Sequence, residues 1–249
     1  MICRVTSPYA QDGFGAGFEW GPVGAGVLAG DIVAVVDVLS FTTAVTVAAD
    51  RGIDVYPYRW RDETAVAYAE QAGATLAVGR SEAGPGDASL SPVTIRRAEG
   101  IKRLVLPSPN GSTIAQQLSD GGATVIAVSL RNRLAAADWV REQGAGRRVV
   151  AIAAGERWPD GSLRPAVEDL WGAGGFLSAL RYDDLSPEAR AAVAAYDAIA
   201  GDLPRALSEC AGGRELTQYG YPEDVAIAAE VDSSESVPVL VDGRLFRST

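Results

Sequence analysis

Short apolar runs alternate with amphipathic stretches along most of this chain. The run Ile32–Val36 (IVAVV) and those at residues 55–58, 75–78, 104–106, 125–128 and 149–153 are brief and almost wholly apolar, the pattern of strands buried on both faces. Between most of them, helical spacing of apolar positions predicts helices over residues 43–50, 62–71, 112–118 and 134–143. Alternation of this kind implies an α/β fold whose sheet is largely parallel and covered on both faces.

The flanks are less regular. Residues 2–6 read as a first strand, and residues 11–30, with seven glycines, as a long loop or irregular hairpin. Beyond residue 153 a Gly/Pro-containing loop at 155–165 leads into a helix over 166–180, an Ala-rich stretch at 187–200, and short helical segments to about residue 230. The apolar run 237–241 is expected to return to the sheet. No linker or repeat interrupts the chain, so the expectation is one domain over 1–249, with a helical insertion near 181–225.

Asp37 ends the IVAVV run and is followed by Ser40, Thr42 and Thr43 at the start of a predicted helix. The C-terminal end of a parallel strand opens onto the crevice where α/β sheets bind ligands. An acid, three hydroxyls and a helix N-terminus there suit a hydrated divalent cation and an anionic group; simple helix capping by Asp37 and Thr42 stands beside that reading.

Composition narrows the chemistry. At 249 residues and 47% apolar content the chain can bury a sizeable core. A formal net charge of −10, a single lysine (Lys102) and scattered arginines leave no basic stripe for a phosphate backbone, so nucleic acid is not an expected partner. A few arginines in one pocket still suffice for a small anion. No apolar stretch approaches the roughly 20 residues of a membrane span, and no secretion signal is recognisable, so no membrane contact and a cytoplasmic setting are expected. Cys3 and Cys210, far apart and without CxxC spacing, argue against a zinc ribbon or disulfide framework. The absence of histidine removes Ser-His-Asp triads, phosphohistidine and imidazole acid–base chemistry.

Four further segments follow predicted strands. Gly79-Arg80-Ser81-Glu82 sets a guanidinium and a carboxylate among glycines, either near a ligand or as a structural ion pair. Asn110-Gly111-Ser112-Thr113 enters a helix and forms either an anion cradle or a turn with an N-cap. Gly155-Glu156-Arg157 offers a carboxylate for metal or water and an arginine for an oxyanion. Glu168-Asp169 begins the next helix, where acids also favour the positive end of the dipole. Strand ends of a parallel sheet share one edge, so these segments are expected to meet in one crevice.

In order, Asp37-Val38-Leu39-Ser40-Phe41-Thr42-Thr43, Gly79-Arg80-Ser81-Glu82, Asn110-Gly111-Ser112-Thr113, Ala154-Gly155-Glu156, Glu168-Asp169-Leu170 and Ala173-Gly174 resemble the 2-phosphosulfolactate phosphatase (ComB-like) family. So does the tail, with Gly212-Gly213-Arg214-Glu215-Leu216, Gly220, Asp224-Val225 and Val237-Pro238. The resemblance implies a three-layer α/β/α fold and a Mg²⁺-dependent phosphohydrolase that converts 2-phospho-3-sulfolactate to sulfolactate and phosphate, in the setting of coenzyme M biosynthesis. It leaves a homo-oligomer open. The chain departs from the family pattern at Ser40, where arginine is usual, at Ser108-Pro109, at Ala153, and at Ala166, where a hydroxyl is expected.

On this reading Asp37, with Glu168 or Asp169, holds Mg²⁺. Glu156 or Glu82 orients or deprotonates water. Arg80, Arg157, Asn110 and the 111–113 amides, with the hydroxyls of Ser40, Thr42, Thr43, Ser112 and Thr113, bind the small phosphorylated substrate. Direct attack by water is preferred to a covalent route through Asp37, because the Asp-x-Asp pattern is absent. The alternatives are a phosphatase for another phosphorylated substrate, or an anion-binding protein without turnover.

Overall fold

The structure is a computed structural model that describes residues 7–119, 121–143 and 146–248. The strand expected at residues 2–6, and Cys3, lie outside the described residues. In chain order the elements are β1 (Ala16–Trp20), α1 (Gly21–Val27), β2 (Ile32–Val36), α2 (Phe41–Asp50), β3 (Asp54–Tyr58), α3 (Glu63–Ala72), β4 (Thr75–Leu76), α4 (Pro92–Arg97) and β5 (Arg103–Pro107). They continue with α5 (Gly111–Leu118), β6 (Thr124–Val128), α6 (Arg133–Glu142), β7 (Val149–Ala153), β8 (Glu156–Arg157), β9 (Leu163–Arg164) and α7 (Val167–Leu180). The last are α8 (Pro187–Asp197), α9 (Leu203–Glu209), α10 (Ala211–Gln218), α11 (Pro222–Ala228), β10 (Val237–Val241) and β11 (Arg244–Ser248).

The nine-stranded sheet has the order β1-β7-β2-β6-β10-β11-β3-β5-β4. Two parallel blocks, β1-β7-β2-β6 and β3-β5-β4, flank the antiparallel hairpin β10–β11. Each block meets the hairpin through a single residue pair, Val239 with Ile126 and Leu245 with Val55. The largely parallel α/β expectation holds.

Both faces of β2 are covered, which is why its run is apolar throughout. Ile32, Ala34 and Val36 join Phe176 and Leu177 of α7, Ala136 and Val140 of α6, and Ala189 and Ala192 of α8 in one core cluster. Val33 and Val35 face the other way, into a cluster with Ala25 of α1 and Ile114 of α5. A third cluster unites α2, β3 and β5 through Phe41, Val45, Val55 and Leu104. Helices thus lie on both sides of the sheet, giving the three-layer arrangement. Leu203, Leu207, Leu216 and Val225, from the helical stretch after α8, share the first of these cores.

The glycine-rich segment 11–30 is ordered, contrary to the loop expectation. It supplies edge strand β1, parallel to β7, and helix α1. Glycine count obscured the strand, which buries Ala16, Gly17 and Phe18 against its neighbours. Among the described residues no helix is long and apolar enough to cross a membrane.

Candidate active site

The loop after β2 is fixed by its own polar residues. The Asp37 amide donates to Thr42 Oγ1 at 3.0 Å and the Thr42 hydroxyl donates back to the Asp37 carbonyl at 2.8 Å. The Thr43 hydroxyl donates to the Val38 carbonyl at 2.8 Å. These bonds tie the first turn of α2 to the strand end, and they direct the protons of Thr42 and Thr43 to the main chain rather than to a ligand. Thr42 and Thr43, expected among the substrate-binding hydroxyls, are fully buried and shape the loop.

Asp37 does cap α2, through Oδ1, which accepts the Phe41 amide at 3.1 Å. Its Oδ2 accepts the Gly111 amide at 2.9 Å, across the gap between β2 and β5. A Cβ at position 111 would come within 2.4 Å of Phe41 Cδ1 and 2.7 Å of Asp37 Oδ2, so glycine is required for this approach. The Ser112 and Thr113 hydroxyls donate to the carbonyls of Leu106 at 3.0 Å and Pro109 at 2.7 Å. What remains of the predicted cradle is the start of α5 itself and Asn110, whose amide nitrogen donates to Glu156 Oε1.

From the first turn of α7, Asp169 reaches back to accept the Val38 amide at 2.7 Å and the Gly155 amide at 2.9 Å. It straps the ends of β2 and β7 together. Glu168, 3% exposed, has an Oε2 with no hydrogen-bond partner. Its Oε1 would lie 2.3 Å from a Cβ at position 212, so Gly212 of α10 makes the room it occupies. The nearby Cys210 thiol donates to the Leu207 carbonyl at 3.1 Å and is pushed up to about 12, first by burial and then by the Glu168 charge. It stays protonated and is no nucleophile at neutral pH.

These acids sense one another. Burial pushes the Asp37 carboxyl up to about 6, with the Glu168 charge adding to the shift and Arg80 opposing it. Burial, then the charges of Asp37 and Glu168, hold Asp169 well above the usual carboxylate range. Burial, then the Asp37 charge, also raise Glu156. Such a concentration of buried acids costs folding stability and makes this strand edge the candidate functional site.

Arg80 is the cation that enters this cluster. Its Nη2 donates to Ser40 Oγ at 2.6 Å, and its Nε pairs with Asp224 Oδ2 at 3.3 Å. Asp224, 1% exposed, also accepts from the Ser91 hydroxyl. Asp224 was not among the candidate site residues; its signal lay in the Asp224-Val225 pair of the tail, remote in sequence from Arg80. A second addition is Arg164 of β9, paired in register with Glu156, whose charge opposes part of the rise that burial and Asp37 impose on that carboxyl. Nothing in the loop's pattern marks it.

Glu82 does not join the acids. It is paired with Arg61, 58% exposed along its side chain, and closes a short 3₁₀ turn by accepting the Gly79 amide at 3.4 Å. The carboxylate expected to activate water is thus held by Arg61 at the surface, apart from the buried acids. Arg157 is exposed, with a long 3.4 Å bond to the Gly161 carbonyl, and borders a cleft of about 230 Å³ together with Trp20, Asn110 and Glu156.

Among the described residues no three His, Cys, Asp or Glu side chains form a ready metal cage. The site is thus a set of buried acids at the ends of β2 and β7 and the start of α7, with Asn110 and Arg80 beside them. A family model for 2-phosphosulpholactate phosphatase matches residues 25–243, a span that contains every one of these groups. The chain belongs to the 2-phosphosulpholactate phosphatase family. Two relatives, each named probable 2-phosphosulfolactate phosphatase, match over similar lengths. That of Thermus thermophilus is 31% identical over 221 residues, 84% of this chain and 88% of its own. That of Deinococcus radiodurans is 29% identical over 222 residues, 86% of this chain and 89% of its own. Within the 2-phosphosulpholactate phosphatase fold, then, Ser40 is engaged by Arg80, and Ala166 is a buried apolar residue at the mouth of α7.

Proposed function

We propose that this protein is a Mg²⁺-dependent phosphohydrolase that cleaves the phosphate monoester of a small anionic hydroxy acid, with 2-phospho-3-sulfolactate as substrate and sulfolactate and phosphate as products. The observation that carries the reading is the buried acidic cluster around Asp37, in which Glu168 Oε2 is left without a partner. An orphaned, buried carboxylate oxygen beside a second acid fits a divalent cation, and Mg²⁺ needs only one or two carboxylates because waters and substrate phosphate complete its shell. Asp37 and Glu168 would hold it; Asp169, with both oxygens accepting amides, positions the loop instead. Bound there, the ion would offset phosphate charge and acidify a coordinated water.

The remaining steps belong to the chain. Glu156, partly buried and held by Asn110, orients the attacking water and takes its proton. Arg80, fixed by Asp224, faces the phosphoryl oxygens and stabilises the charge they carry as the ester bond breaks. The start of α5 adds its dipole at the same place. A different phosphorylated hydroxy acid is the second reading, favoured by Ser40: where the family usually presents an arginine, this chain presents a hydroxyl already bonded to Arg80.

Phosphate release from 2-phospho-3-sulfolactate and a panel of phosphorylated hydroxy acids, with Mg²⁺ and with chelator, tests the proposal. Release that chelation abolishes, and that Asp37→Asn reduces by a factor on the order of 10² or more, is expected. Tight ligand binding with no release from any ester would leave only an anion-binding protein.

A further inference from the structure

The segment after β5 stands between two clefts. On one side Asn110 borders the space shared with Glu156 and Trp20. On the other, Ser108 and Pro109 border a cleft of about 330 Å³ whose walls include Arg59, Trp60 and Arg61 after β3 and Arg80 after β4. Among the described residues, three arginines and no acid line this second cleft, in a chain with a net charge of −10.

Its inner and outer ends differ. At the inner end Arg80 reaches Ser40 and acts on the Asp37 carboxyl, so one wall of the cleft is shared with the acidic cluster. At the outer end the Arg59 guanidinium lies over the Trp60 ring, 4.9 Å from its centroid, and Arg61 is paired with the exposed Glu82. An ion pair so exposed is worth little, and an incoming anion can replace it. Guanidinium groups present paired N–H donors that match carboxylate and sulfonate oxygens.

We propose that this cleft is the subsite for the anionic arm of the substrate that is not hydrolysed, a sulfonate or carboxylate, with Arg59 and Arg61 as its ligands and Arg80 shared with the phosphate. The inference rests on the phosphatase reading above. It makes Arg59 and Arg61 determinants of specificity: they discriminate a phosphate ester that carries further negative charge from one that does not. Neither arginine belongs to the ordered motifs that carry the family resemblance.

The test compares 2-phospho-3-sulfolactate, 2-phosphoglycerate and glycerol 2-phosphate, secondary phosphate esters that carry two, one and no additional anionic groups. In Arg59→Gln and Arg61→Gln the ratio of kcat/KM for 2-phospho-3-sulfolactate to that for glycerol 2-phosphate should fall about 10-fold each, mainly through KM, with 2-phosphoglycerate between. A ratio retained in the double variant overturns the proposal while leaving the phosphatase reading intact. Calorimetric binding of sulfolactate, which needs no turnover, separates the two ideas from the other direction. Binding by the wild type that weakens at least 10-fold in the double variant supports the subsite even in a protein that releases no phosphate. Equal affinity in both, or no binding by the wild type, overturns it.

Discussion

The Gly111 amide donates to Asp37 Oδ2 at 2.9 Å, and with the Arg80–Ser40 and Asn110–Glu156 bonds it joins the two parallel blocks of the sheet at the site. Asp37 belongs to the end of β2, Gly111 to the start of α5 after β5, and in the sheet those strands are separated by β6, β10, β11 and β3. With Asp169 bonded to Val38 and Gly155, three strand ends converge through carboxylates that accept main-chain amides. The acids that give the site its charge are also its fasteners, so chemistry and local structure cannot be changed independently here.

Replacing Gly111 with alanine tests that dependence. The new Cβ would meet the fully buried Phe41 ring at 2.4 Å and Asp37 Oδ2 at 2.7 Å, and neither neighbour is a flexible chain end free to swing into solvent. Overpacking of this kind costs roughly 1–3 kcal/mol. Gly111→Ala should lower the melting temperature and lose most turnover, because Asp37 must move. Melting and phosphate release both at wild-type levels would show that the close approach is not required.

Asp224 is expected to act through Arg80. In Asp224→Asn the Ser91 hydroxyl keeps an acceptor, but the Arg80 guanidinium loses its buried counter-charge. Removing one member of a buried charge pair typically costs 2–5 kcal/mol, much of it from the charge left behind, so kcat/KM should fall by at least about 10-fold. Steady-state kinetics alongside a thermal melt checks this, since a purely structural role would move only the melt. Unaltered kcat/KM would remove Asp224 from the site.

What the sequence disclosed followed from burial and order. The uniform apolarity of Ile32–Val36 announced a strand covered on both faces, and Asp37 at its end proved to be at the centre of the acids. Hydroxyl residues were less readable. Thr42, Thr43, Ser112 and Thr113 look like ligand contacts in a motif, yet each is close enough to its own backbone to spend its proton there, a choice that depends on loop conformation. Glu82 and Asp224 show the same limit from the other side. Which carboxylate pairs with which arginine is a long-range matter: Arg80 finds its partner in the distant Asp224, while Glu82, two residues from Arg80, turns to Arg61.

The acid limb of the stability curve should depend on Glu230, away from the site. Its two oxygens accept from Arg96 at 2.7 and 2.6 Å, and it pairs at 3.3 Å with Arg131, a cation 5% exposed that also holds Asp50 at 3.1 Å. The hydrogen bonds from Arg96 hold the Glu230 carboxyl below its ordinary value of 4.5. Between the depressed and the ordinary value the unfolded chain therefore binds more protons than the native one. The stabilisation is fully present above the ordinary glutamate range and is lost as pH falls through the depressed value. Glu230 is 35% exposed along its side chain, so solvent screening limits its contribution to about 1 kcal/mol. Glu230→Gln should melt below the wild type at pH 7, and the gap should close toward pH 3 in parallel thermal scans. A gap of equal size at both pH values would mean that the carboxylate charge is not what ties the turn after α11 to α4 and to the turn before α6.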